Sequence, residues 1–283
     1  MSASLIGPVE KEQSETQGYV VLKNVFRDTE IERMKILYEL RWVELVSNQE
    51  ITQDPNAPVA SLFPRIYNYD RENPELLRYV LDDRIMDSLE ELMGEEALLI
   101  ATSYFFKGPG MKGLPLHQDD LVFGIEPGTV YSVWLSLDDA DQENGCMQFV
   151  PGTQHLKTLL PEKDQQNDLS YFSDDGRGIT VPEEYRDRVV DVPTASGDLV
   201  IFNGYIIHGS YDNNSSNRFR RALLMQFAGV QTEKLLPNFN NLLNRKGERV
   251  RKRLNTNPLI VGNEKSVFSA KEGKYFDNTG WVK

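Results

Sequence analysis

Cysteine is almost missing from this chain: Cys146 is the only one among 283 residues. A single thiol excludes an internal disulfide, a cysteine-built zinc site and an iron–sulfur cluster. Long apolar runs are missing too, since no stretch reaches the roughly 18 residues of a membrane span. Positions 1–14 show neither the basic start nor the apolar middle of a secretory leader. These absences lead us to expect a cytoplasmic setting. Positive charge is in deficit, with 31 Lys and Arg against 43 Asp and Glu, a net −12. Nucleic acid and anionic membranes are therefore not expected as partners, because binding to them is driven by cationic contacts to phosphate. One basic cluster, 245–253, has the spacing of a solvated helix face.

What is present is the material of a globular protein, 40% apolar and 26% charged. We expect one domain over 1–283, with polar, loose residues at 1–16. A strand and helices over 17–96 should pack on a core at 97–228, followed by an extension at 229–283. Residues 18–26 are rich in β-branched and aromatic side chains and predict a strand. Asp28-Thr29-Glu30 predicts a cap for a helix with Ile31, Met34, Leu37 and Leu40 at helical spacing. A second helical run covers 74–93 and closes at Gly94. Short strands then alternate with turns: 97–107, 131–137, 146–150, 188–192, 198–202 and 222–227. Asn144-Gly145 predicts a hairpin between the second and third of these. The class expected is mainly β with flanking helices (α+β), the core being a barrel or jelly roll.

Histidine is scarce as well: His117, His155 and His208 are the full set. In Leu116-His117-Gln118-Asp119-Asp120, side chains two apart on a strand share a face, so His117 and Asp119 could hold one metal ion while Asp120 points away. His208 follows the apolar strand 198–202 and could close the set, leaving open positions on an iron for further ligands. Three arginines, Arg218, Arg220 and Arg221, open the next strand and could grip the free carboxylate of a dicarboxylate co-substrate. Ser210 could add a hydrogen bond. His155 lacks a partner two residues on and is read as structural, and Cys146 as a small core residue. Residues 108–113 formally satisfy a dinucleotide glycine pattern, but Pro115 follows where a helix should, so a flexible loop at the site mouth is expected.

Taken in order, Leu-His-Gln-Asp (116–119), Trp-Leu-Ser-Leu-Asp-Asp-Ala (134–140), Glu-Asn-Gly-Cys-Met (143–147), Pro-Gly-Thr-Gln-His (151–155), Gly-Asp-Leu-Val-Ile-Phe (197–202), His-Gly-Ser (208–210) and Phe-Arg-Arg-Ala (219–222) resemble the phytanoyl-CoA dioxygenase family over about residues 17–228. The resemblance implies a double-stranded β-helix using Fe(II), 2-oxoglutarate and O₂. It implies His117, Asp119 and His208 as metal ligands, Arg220 on the far carboxylate, Ser210 assisting it and Trp134 lining the co-substrate pocket. Hydroxylation, desaturation or rearrangement would accompany release of succinate and CO₂. Asp119 stands where related halogenases carry a small residue, so halogenation is not expected. Substrate contacts are expected from Arg65, Tyr67 and Tyr69, which alternation places on one face, and from a lid loop at 171–177 with Phe172 and Arg177. The expected substrate is a small metabolite, in natural-product or catabolic metabolism, and the expected protein partner is at most a second copy in a homodimer. A rival expectation is a cupin-like protein that binds metal without turnover.

Overall fold

The computed structural model describes residues 5–126, 128–164, 177–235 and 241–254, with four short strands beyond. The segment expected to be loose is helical: α1 spans Pro8–Gln17. Its ends explain why a polar stretch folds. Pro8 presets the first turn, the Glu10 carboxylate accepts from the Gly7 amide at 2.9 Å, and Gly18 closes the helix at φ 85°. Strand β1 (Tyr19–Leu22) is shorter than predicted. Helix α2 (Asp28–Ser47) is capped one residue early, at Arg27, whose amide donates to Glu30 at 2.9 Å. After α3 (Pro58–Leu62) and β2 (Ile66–Tyr67), the single helix expected over 74–93 is two. Helix α4 (Pro74–Val80) stops, and the Asp82 side chain caps α5 (Asp83–Met93) by accepting from the Arg84 amide at 3.0 Å.

The core is a jelly roll of two antiparallel sheets, open at their edges rather than closed into a barrel. Its strands are β3 (Ala97–Lys107), β4 (Tyr131–Ser136), β5 (Met147–Val150), β6 (Glu162–Asp164), β7 (Arg177–Ile179), β8 (Val190–Val192), β9 (Leu199–Asn203), β10 (Ile207–Ser210) and β11 (Arg220–Gly229). The large sheet runs β1-β9-β4-β11-β3, with β2 also on β3; the small sheet runs β10-β5-β8; and β6 pairs with β7 apart from both. Helix α6 (Asp120–Phe123) sits between β3 and β4 in sequence.

Period two sorts the side chains. Tyr104, Phe106, Val133, Leu135, Leu199, Ile201, Leu223 and Met225 face outward onto Ile31, Met34 and Tyr38 of α2 and Leu89 of α5. Their neighbours Phe105, Trp134, Val200, Phe202 and Ala222 face inward, onto Met147, Phe149 and Val192 of the small sheet. Burying each large side chain contributes about 1.5–3 kcal/mol before entropy is charged. Both faces are covered, which is why these strands read as nearly continuous apolar runs.

Asn144-Gly145 makes no hairpin. Strand β4 pairs with β9 and β11, while β5 pairs with β10 and β8, so the turn passes the chain from one sheet to the other. Asn144 folds the loop by accepting from the Asp141 amide and donating to the Asp139 carbonyl, both at 2.8 Å. The basic cluster is not a helix face either. Strands Leu242–Leu243 and Arg249–Val250 pair with each other, the first also joining β3. Arg245 beside them ion-pairs with Asp83, Asp87 and Glu90 of α5.

Candidate active site

The site begins where the chain after β3 returns to β10. The loop is tied down rather than free: the Gly110 amide donates to the Asn213 carbonyl at 2.8 Å and Asn213 donates to Met111 at 2.9 Å. Leu114 and Leu116 then press on β10 at Gly209, where a Cβ would meet the Leu114 carbonyl at 2.7 Å. This close approach lets His117 and His208 pair through both backbone bonds, 2.8 and 3.0 Å long. The imidazoles end 4.2 Å apart, centroid to centroid.

Asp119 arrives by a route different from the one predicted. It is not on a strand; its φ of −62° and ψ of −35° are helical, and it stands immediately before α6. That turn swings Oδ1 to 3.4 Å from His117 Nε2 and 3.7 Å from His208 Nε2. Donor atoms on one ion lie roughly 3 Å apart at bond lengths of about 2.1 Å. The three side chains each offer an atom, all within 4.8 Å of one another, so little movement is needed to share a cation. The neighbouring Asp120 is engaged elsewhere, accepting from the Val130 amide at 2.7 Å and the Thr129 hydroxyl at 2.5 Å, and burial pushes its carboxyl up to about 7.

Hydrogen bonds prepare the donors. His117 Nδ1 lies 2.9 Å from the Pro115 carbonyl and His208 Nδ1 3.1 Å from the Ile206 carbonyl. A carbonyl only accepts, so each Nδ1 carries the proton and each Nε2 presents its lone pair to the metal. Burial, then the neighbouring His117, lowers the His208 imidazole to about 4, which keeps it neutral. Burial opposes ionisation of Asp119, yet the two imidazoles and Ser132 hold its carboxyl below the usual range. Its Oδ2 accepts from Ser132 Oγ at 2.5 Å and Gln226 Nε2 at 3.4 Å, leaving Oδ1 for the ion. Two imidazoles and one carboxylate on one face suit iron and leave coordination positions open.

The three arginines separate by partner. Arg218 pairs with Asp141 and Glu143, and Arg221 with Asp138 and Glu39. Arg220 points inward, 2% exposed, with its guanidinium 4.8 Å above the Trp134 ring. Its Nε donates to the Gly145 carbonyl at 3.1 Å, but Nη1 is buried with no hydrogen-bond partner. Burial lowers its pKa to about 9. Ser210, two residues after His208 on β10, turns to the same face.

The expected substrate residues do not stay together. Strand β2 ends at Tyr67; Asn68 takes a left-handed φ of 50° and a short 3₁₀ turn begins at Tyr69. Tyr69 therefore leaves for the helical side, edge-on to Tyr38 and under Arg41. Arg65 remains near the inner face, its guanidinium 4.6 Å from the Phe105 ring and 5.3 Å from that of Tyr67. Phe172 and the side chain of Arg177 lie outside the described residues. His155 is exposed, with Nε2 3.2 Å from Gln154. Cys146 is buried as expected. Ser132, Gln226 and Lys107 escaped the sequence reading, although a polar residue at an inward position of an apolar strand is a readable signal for each.

Known proteins share the sequence pattern and the fold. The family model for phytanoyl-CoA dioxygenase (PhyH) matches residues 14–222. Human peroxisomal phytanoyl-CoA dioxygenase is 28% identical over 229 residues, 76% of this chain and 66% of that protein. The 2-aminoethylphosphonate dioxygenase of an uncultured bacterium (HF130_AEPn_1) is 28% identical over 231 residues, 77% of this chain and 80% of that one. Among solved structures, EctD from S. alaskensis with 2-oxoglutarate and 5-hydroxyectoine superposes with a TM-score of 0.64 at 19% identity, covering 90% of this chain and 89% of that one. The non-heme alpha ketoglutarate dependent carbocyclase SnoK from nogalamycin biosynthesis gives 0.61 at 21%, covering 81% and 86%. With the family model spanning both histidine segments and the inward arginine, the chain belongs to the phytanoyl-CoA dioxygenase family.

Proposed function

We propose that this protein is an Fe(II)- and 2-oxoglutarate-dependent dioxygenase acting on a small molecule. The observation that carries the reading is a pair of features on one inner face. A His117–Asp119–His208 donor set lies at sharing distance, and Arg220 brings a buried Nη1 that lacks a partner. An uncompensated buried guanidinium is costly, and a carboxylate from a bound acid would compensate it by two-pronged pairing.

Iron with 2-oxoglutarate and O₂ would supply the oxidising power, releasing succinate and CO₂. The chain's own part is placement. His117 and His208 would hold the ion through Nε2 and Asp119 through Oδ1, with Ser132 and Gln226 fixing the carboxylate. Arg220 would bind the far carboxylate, Trp134 would wall the pocket, and Ser210 would donate to the same carboxylate. The aromatic floor of Trp134, Phe149 and Phe202 would keep water from the ion. Arg65, stacked on Phe105 and Tyr67, would meet the substrate at the mouth and favour a polar or anionic one. One relative is named for 2-aminoethylphosphonate, a phosphonate anion of the kind that cation suits. A role in natural-product or catabolic metabolism, a cytoplasmic location, and hydroxylation, desaturation or oxidative rearrangement as the outcome complete the reading.

The test is anaerobic addition of Fe(II) and then 2-oxoglutarate. A visible charge-transfer band should form in the native protein and be missing in Asp119→Ala. Oxygen-dependent succinate, stimulated by substrate, then distinguishes turnover from a metal-binding protein that does none. A native protein that binds neither iron nor 2-oxoglutarate would end the proposal.

A further inference from the structure

A second cation is buried at the co-substrate end. Lys107 closes β3 directly opposite Arg220 on β11, and both side chains are withdrawn from solvent. Its Nζ donates to Ser210 Oγ at 3.0 Å and to the Tyr211 carbonyl. The fold is shaped around this reach: Gly145, at φ 97°, lies so close that a Cβ would meet Lys107 Cδ at 2.9 Å and Nζ at 3.1 Å. The Leu114 amide also donates to Ser210 Oγ, at 3.1 Å.

A serine hydroxyl has two lone pairs and one hydrogen. With an anion docked beside it Lys107 is an ammonium, and an ammonium and a backbone amide can only donate, so together they occupy both lone pairs. The hydroxyl hydrogen is then the remaining valence, and Ser210 is compelled to act as a donor. Without Lys107 the hydroxyl would be free to rotate and to accept as readily as donate.

We propose that Lys107 is a positioning residue for the co-substrate: by filling a lone pair of Ser210 it fixes that hydroxyl as a donor to the far carboxylate of 2-oxoglutarate, and so makes the site select 2-oxo diacids over 2-oxo monoacids. The inference rests on the dioxygenase reading above. Burial, with Arg220 beside it, lowers the Lys107 pKa well below its ordinary value, a burden that an anion docked at this end relieves.

Affinity of the anaerobic, Fe(II)-loaded protein is measured for 2-oxoglutarate and for 2-oxobutyrate, which lacks the far carboxylate. Lys107→Met should weaken 2-oxoglutarate about tenfold, the worth of one hydrogen bond to a charged group, and leave 2-oxobutyrate unchanged. In a Ser210→Ala background the same change should cost nothing further, because the two residues act as one unit. Equal loss for both acids, no loss for either, or full additivity with Ser210→Ala overturns the proposal. Should Lys107→Met not fold, Lys107→Gln, whose amide N–H can still donate to Ser210, should retain selectivity, while Ser210→Ala alone must lower it; either failing also overturns it. If the native protein binds no 2-oxoglutarate at all, the dioxygenase reading fails instead.

Discussion

Arg220 shows how one residue can be costly to the fold and valuable to the site. Its guanidinium is buried against Trp134 with Nη1 unmatched, whereas Arg218 and Arg221 sit in ion pairs. Replacing even paired buried charges by well-packed apolar side chains is often neutral or stabilising by roughly 1–4 kcal/mol. Arg220→Leu should therefore melt, without ligands, no lower than the native protein, while 2-oxoglutarate affinity falls about a hundredfold or more. Arg221→Ala should do the reverse, lowering the melting temperature and sparing affinity. Melting curves and ligand titrations check both. Residue spacing alone left three arginines unresolved, and only the family resemblance favoured Arg220, because partners such as Asp138 and Glu143 are 75 or more residues away in the chain. Residue spacing also chose Asp119 over Asp120, by strand parity, which does not hold: a helical turn carries the two carboxylates apart instead, with Asp119 the one near both imidazoles.

Elements were legible where burial imposes a period, and illegible where side chains act on nearby backbone. Six of the nine core strands were foreseen within a few residues because apolar residues fill most of their positions; β10, which carries His208, was not among them. The break between α4 and α5 was not, since Leu77, Leu81, Ile85 and Leu89 continue a helical spacing across it. The break lies in Asp82, whose carboxylate accepts from the Arg84 amide and side chain. Asp82→Ala should destabilise by about 1 kcal/mol, as lost caps do, seen as a lower urea midpoint at unchanged slope. Asn144-Gly145 carried a local turn signal that is real, but sheet membership is a long-range property that no dipeptide encodes.

For the molecule as a whole, ligand binding and folding are linked. An ion that binds only the folded chain, at a hundred times its dissociation constant, adds about 2.7 kcal/mol. At the few degrees per kcal/mol usual for domains of this size, chelation should lower the melting temperature by roughly 5–10 °C, and added 2-oxoglutarate should restore none of it without metal. Scanning calorimetry with and without chelator checks this.

The ion's place in the architecture adds a mechanical consequence. Asp119 is fastened to Ser132 and Gln226, on β4 and β11 of one sheet, whereas His208 belongs to the other. A cation shared between them is a pin through both layers of the sandwich. Pulling it should loosen the three-stranded layer first, so that amide exchange quickens in β5 and β10 while the broad layer under α2 and α5 holds.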